Sequence, residues 1–317
     1  MKINLRVPRG WRECSAEQLE CICKVQQQVL GVEADGQKSA WKVGCFLALA
    51  GLEIVDEVRT DEEGERYVTV RRVGEKAAQR KGEEEDGFPL YMWQVQNWVQ
   101  EQLAWLDAPP NIVKFPYPEW QAGKRVFRGP SVWLSGWTWQ QYRLLKDYLD
   151  YFFKIEEMAR TRPSEALDKR LQEAIAMVLA TLYDGEVDYL DETTRLSTHG
   201  YRYKPSQTMD NKECFMDFPP LRFAVVMLWW TSVAMKLQRD YPKCFASDKK
   251  EGKKKRQKAQ DPTYEYARTT ATLEKYMGVN EQELQQESYT VVLQHLQDMV
   301  KQNEEMERVN RRMKSKK

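Results

Sequence analysis

The chain has little of what usually announces a function. It carries two histidines, no Cys-x-x-Cys pair, no long apolar run and a net charge of +1 from 49 basic and 48 acidic residues. Each shortage excludes something. The most apolar stretch, Phe223 to Met235, is 13 residues long; a bilayer span needs about 20, so this reads as a buried helix and no membrane association is expected. The start, "MKINLRVPRG", lacks the apolar segment of a secretory signal, which predicts a cytoplasmic protein with free thiols. Balanced charge gives no global field for nucleic acid.

Catalytic and metal chemistry is equally thin. Cys14, Cys21, Cys23, Cys45, Cys214 and Cys244 fall at helical or isolated spacings, and Cys21, Cys23 and His199 make a poor zinc set. Neither His199 nor His295 has a nucleophile or carboxylate at suggestive spacing. The 16 glycines are scattered through turns and form no phosphate-binding loop. Asp188 and Asp191 in "DYLDE" read as solvated loop acids. The expectation is a protein that is not an enzyme, with no cofactor and no metal.

What is present is aromatic. A mean hydropathy of −0.72 with 31% charged residues would suit a disordered chain, but 11 Trp, 15 Tyr and 10 Phe supply large groups to bury. They concentrate in "PSVWLSGWTWQQYRLLKDYLDYFF", residues 130–153. Thr138 is placed to cap a helix running to about Met158. Tyr142, Leu145, Leu149 and Phe152 form one stripe, and Leu144, Tyr148, Tyr151 and Ile155 a second. A stacking platform for single-stranded nucleic acid would interleave basic residues on that face. Here Arg143, Lys146 and Lys154 are offset by Asp147, Asp150 and Glu156. Burial is the expectation, with Trp133, Trp137 and Trp139 as anchors.

The predicted organisation is mainly α. An N-terminal helical unit over 1–74 follows a short strand at "MKINLRVP", with Ser15 capping its first helix and a β-hairpin turning at Gly64. A charged loop over 75–87 leads to a helix beginning after Pro89, on which Trp98 and Trp105, seven residues apart, share a face. The aromatic-rich helical body spans 88–245. Trp11 and Trp133 are each followed by Gln at seven residues and Lys at thirteen, and each copy leads to an apolar helix. This is either a duplicated helix–loop–helix unit or a chance match.

Residues 246–262 read as a flexible basic linker, with seven basic residues against one acidic in 249–258. Lys253, Lys254, Lys255 and Arg256 are the only candidate phosphate contacts, and a solvated linker outweighs nucleic-acid binding. The C-terminal helical module, 263–317, holds the sharpest periodicity. Tyr289, Val292, Leu296, Met299, Asn303, Met306, Asn310 and Met313 step by three and four, an a/d series with Asn at two successive a positions. Glu304 with Arg308 and Glu307 with Arg311 fit i,i+4 pairing. Two Asn and three Met weaken a seam for stable self-association, so reversible docking of Leu296, Met299, Asn303, Met306, Asn310 and Met313 on a partner or on the body of the chain is favoured.

The stretches "GWRECSAEQLECICKV" and "GWTWQQYRLLKDY", the helix "LWWTSVAMKLQRDYPKCF" with its tyrosine–proline turn, and the end "YARTTATLEKYMGVNEQELQQESYTVVLQHLQDMVKQNEEMERVNRR" resemble segments of tail assembly chaperone-like and other tail-module proteins of tailed bacteriophages and prophages. The resemblance implies a non-catalytic assembly protein that keeps a tape measure protein soluble in the host cytoplasm. A minor virion structural protein, or a mobile-element protein contacting nucleic acid through the basic linker, is the alternative.

Overall fold

The protein was described as a computed structural model, covering residues 7–29, 34–73, 87–130, 132–186, 205–245 and 262–314. It is mainly helical, with small antiparallel sheets. The chain divides into two compact units, Met1–Pro116 with Pro219–Ser232, and Tyr117–Phe218 with Val233–Lys317.

In the first unit, α1 (Ala16–Val29) starts at a capping box. The Gln18 amide donates to Ser15 Oγ at 3.3 Å and the Ser15 amide donates to Gln18 Oε1 at 2.9 Å, satisfying two donors that the first turn leaves open. Leu19, Ile22, Cys23 and Val25 are buried, and α1 packs on α2 (Ala34–Leu49). A Cβ at Gly44 would meet Val25 Cγ1 at 2.6 Å, so only glycine permits this approach.

Next come β1 (Leu52–Ile54), β2 (Arg59–Thr60) and β3 (Arg66–Arg72), the hairpin foreseen around Gly64, which has φ +85°. Val68 and Val70 alternate inward from β3. Here one expectation changes. Phe88–Tyr91 is not the first turn of a helix but β4, paired with β3 from Tyr67↔Tyr91 to Val70↔Phe88. Pro89 has no amide proton and suits an edge strand. The helix α3 starts only at Met92 and ends at Gln102. Trp98 and Trp105 therefore do not share a helical face. Trp98 stacks on Phe46 at 5.6 Å, and Trp105 meets Trp11 edge-on at 5.0 Å.

The second unit contains a sheet the sequence reading missed, β5 (Glu119–Ala122), β6 (Arg125–Arg128) and β7 (Asp184–Glu186). Gly123 turns its hairpin at φ +61°. Behind it, α4 (Trp139–Thr161) and α5 (Glu165–Leu182) pack closely together. The Gln141 amide donates to Thr138 Oγ1 at 3.2 Å, the expected cap. Tyr142, Leu145, Leu149 and Phe152 are all buried. The second stripe is only partly so: Ile155 is buried, Leu144 and Tyr148 are half-buried, and Tyr151 is exposed. Trp137 and Trp139 are buried anchors, while Trp133 is half-buried.

Both α1/α2 and α4/α5 are helix–loop–helix pairs entered through a hydroxyl cap. The caps align Gln18 with Gln141, one residue away from the tryptophan-based register, and the two glutamines differ in role. Gln18 closes a capping box, whereas Gln141 is buried and donates to the Thr181 carbonyl at 3.2 Å.

Then follow α6 (Pro205–Asn211), α7 (Pro220–Asp240), α8 (Pro262–Met277), α9 (Glu281–Gln286) and α10 (Tyr289–Lys314). The unit boundaries differ from those read in the sequence, because 263–317 shares its unit with 117–218. The Trp139 amide donates to the Glu287 carbonyl at 2.7 Å, the Tyr289 amide to the Trp137 carbonyl at 3.3 Å, and Tyr142 stacks on Tyr289 at 5.3 Å. These are main-chain and ring contacts that no local pattern encodes. Among the described residues, no helix is long and apolar enough to cross a membrane.

Candidate docking site

The heptad series on α10 splits into two halves with opposite environments. Tyr289 and Val292 are buried, Leu296 and Met299 half-buried, and Asn303, Met306, Asn310 and Met313 exposed. The last buried residue is Gln297, and from Lys301 to Met313 every residue is exposed except the half-buried Glu304. Met306, Val309 and Met313 are 57%, 52% and 58% exposed. They recur at spacings of three and four, so they share one side of the helix. The six seam residues singled out in the sequence are thus not one surface. Leu296 and Met299 belong to the packed half, and the other four lie on the exposed half.

A short turn after α7 holds the helix where packing ends. The Lys243 amide donates to Gln297 Oε1 at 3.4 Å and the Cys244 thiol donates to the Leu293 carbonyl at 3.3 Å. The Lys243 ammonium reaches about two turns further and contacts both oxygens of Glu304 at 2.7 Å. That ion pair replaces the expected Glu304–Arg308 pair, and it holds the Glu304 carboxyl below its usual range, with Arg308 contributing less. Glu307 accepts from Arg311 at 3.0 Å, as its spacing predicts. On the other side, Gln302 donates to the Tyr276 hydroxyl at 3.1 Å. Sequence reasoning passed over Lys243 because its partner lies 61 residues away. The only local sign was the tyrosine–proline turn itself.

Other candidates contribute less. His295 is half-buried and edge-on to the Tyr276 ring at 5.8 Å. Burial raises the thiols of Cys14 and Cys45 to about 12 and of Cys23 to about 11, which suppresses the thiolate needed for attack or metal ligation. Among the described residues, no three His, Cys, Asp or Glu side chains are grouped to hold a metal ion. Lys253, Lys254, Lys255, Arg256, His199, Asp188 and Asp191 lie outside the described residues, as do residues 246–261 of the expected linker.

The arrangement can offer an adaptable apolar face on a helix fixed at its base. Met side chains conform to varied surfaces, and the two asparagines ask for polar partners within the same contact. No protein family, curated protein or solved structure matches the chain.

Proposed function

We propose that the chain is a non-enzymatic docking protein that presents the end of α10 to a long helical client, in the manner of an assembly chaperone. The observation that carries this reading is the contrast within one helix: the base is buried, while Met306, Val309 and Met313 stand exposed on one side. An isolated helix end of this length is marginal in water. Anchoring it at Val292, Leu293 and Gln297 presents it in a preformed state, which lowers the ordering cost of helix-in-groove binding. The resemblance to tail-module proteins supports a tape measure protein as the client and the bacterial cytoplasm as the place.

The experiment is co-expression of a tape measure protein encoded with this chain, followed by pull-down and solubility measurement. The full chain is compared with a truncation lacking 301–317. The truncated chain should keep its melting temperature within a few degrees and lose the client. A truncated chain that retains the client as well as the intact one overturns the reading.

A further inference from the structure

We propose that β1 is an open sheet edge that takes up an extended, basic segment of another protein as an added strand. The Val73 amide donates to the Gly51 carbonyl at 2.8 Å and the Val55 amide to the Thr69 carbonyl at 2.9 Å. Residues facing each other across an antiparallel pair are alternately bonded and unbonded. With Leu52 opposite Arg72 and Ile54 opposite Val70, the main-chain groups of Gly51, Glu53 and Val55 point at β3, and those of Leu52 and Ile54 point away from it. Leu52 is buried, but Ile54 is 53% exposed. Among the described residues nothing bonds to the outward N–H or C=O of Ile54.

The opposite edge of the same sheet is closed. Because the Thr69 carbonyl serves Val55, it is Val68 and Val70 that bond to β4, through Leu90 and Phe88. The outward positions of β4 are then Pro89, which has no amide proton, and Tyr91, whose amide donates to Gln94 Oε1 at 3.3 Å. A proline and a local acceptor blunt an edge, and β1 has neither. Just past Ile54 the edge bulges: five residue steps from Ile54 to Arg59 lie against three from Val70 to Tyr67. Val55 and Val58 are exposed beside Ile54.

Charge selects the partner. Residues 53–63 hold six acids against one base, Arg59. Glu53 and Asp56 are engaged by Arg71 and Arg59, which leaves Glu57, Glu62 and Glu63 exposed with no ion pair among the described residues. The exposed Arg66 and Arg72 sit one strand further in, on β3. A second copy would bring its own acids onto this edge, and like charges across a strand pair are destabilising. Nucleic acid is repelled for the same reason. A strand carrying Lys or Arg gains main-chain bonds at Ile54, apolar contact at Val55 and Val58, and attraction to the unpaired acids. With so short an open edge the contact is weak and reversible. It shares no residue with α10 and does not rest on the docking reading given above.

A fluorescein-labelled peptide of alternating Lys and Val, titrated into the full chain at low salt and read by anisotropy, tests the edge. Amide exchange resolved at Ile54 and Val55 locates the contact. In the wild-type chain alone, the Val55 amide should be protected by Thr69 and the Ile54 amide should exchange near its intrinsic rate; the peptide should slow Ile54. Ile54→Pro removes the outward N–H, keeps the bonds to β3 and should weaken binding roughly fivefold or more. Glu57→Lys with Glu62→Lys should weaken it to a similar degree and remove most of its salt dependence. The same peptide N-methylated at every amide keeps its side chains and charge, has no donor for the ladder, and should bind as poorly. Circular dichroism checks that each variant remains folded. An Ile54 amide already protected in the chain alone would mean that this chain or a second copy fills the edge, and would overturn the proposal. Failure of the peptide to bind, equal binding of its N-methylated form, or both variants binding like wild type would do the same.

Discussion

Trp137 and Trp139, 3% and 5% exposed at the head of α4, carry more of the second unit's stability than Trp133. Trp133 is the one described non-glycine residue with positive φ, at +52°, a conformation that costs a bulky residue of order 1–2 kcal/mol. Its ring is half-buried with the Lys236 ammonium 5.8 Å from its centre, a contact worth about 0.5–1 kcal/mol at such sites. Strain and contact roughly cancel. Trp137→Ala should cost about 3–5 kcal/mol in chemical denaturation, and Trp133→Gly much less; equal losses would contradict the anchoring role. Cys14, Cys23 and Cys45 give a pH prediction. Their folded values of about 11 to 12 lie above the ordinary 9.0. The unfolded chain therefore loses its thiol protons first as pH rises, and stability present below pH 9 is lost progressively towards pH 12. A melting temperature that rises above pH 9 would contradict this.

At the scale of elements, α10 shows how far the sequence could be read. Its periodicity, its helix and the Glu307–Arg311 pair were all legible, because they depend on neighbours within two turns. The boundary between its packed and exposed halves was not. That boundary is set by α4 and by the turn at Lys243 and Cys244, which are distant in the chain. The same reason explains β4 and the β5–β6–β7 sheet, whose strands of three or four residues are too short for alternation to declare them. It also moves the point at which the C-terminus can be removed. Leu284, Tyr289, Val292 and Leu293 are buried, so deletion of 280–317, harmless if that segment were a separate module, should unfold the second unit, while deletion of 301–317 should not. Thermal melts of the two truncations distinguish these outcomes. The Lys243–Glu304 pair adds a pH dependence with the opposite sense to the thiols. A carboxyl held below its ordinary 4.5 stabilises the folded form above that pH and ceases to do so as pH falls through its lowered value. Amide exchange around Glu304, corrected for intrinsic rates, should quicken in acid, and Glu304→Gln should show the quickened rate at neutral pH.

For the whole molecule, the decisive feature is that each compact unit is built from two separated stretches of chain. In the second unit the start of α4 is completed by the junction of α9 and α10. The Gln140 amide donates to Gln285 Oε1 across 145 residues, and beside it the Trp139 amide finds its acceptor at Glu287. Such closure is slow and entropically costly compared with helix formation itself. A chain emerging from the ribosome has made α4 and α5 long before it has made the residues that seal them. Until then Trp139, Tyr142 and their neighbours lack the Tyr289 ring and the main-chain acceptors that cover them in the finished unit. The nascent protein thus passes through an interval in which the head of α4 is uncovered, and that interval ends only after translation has passed Tyr289.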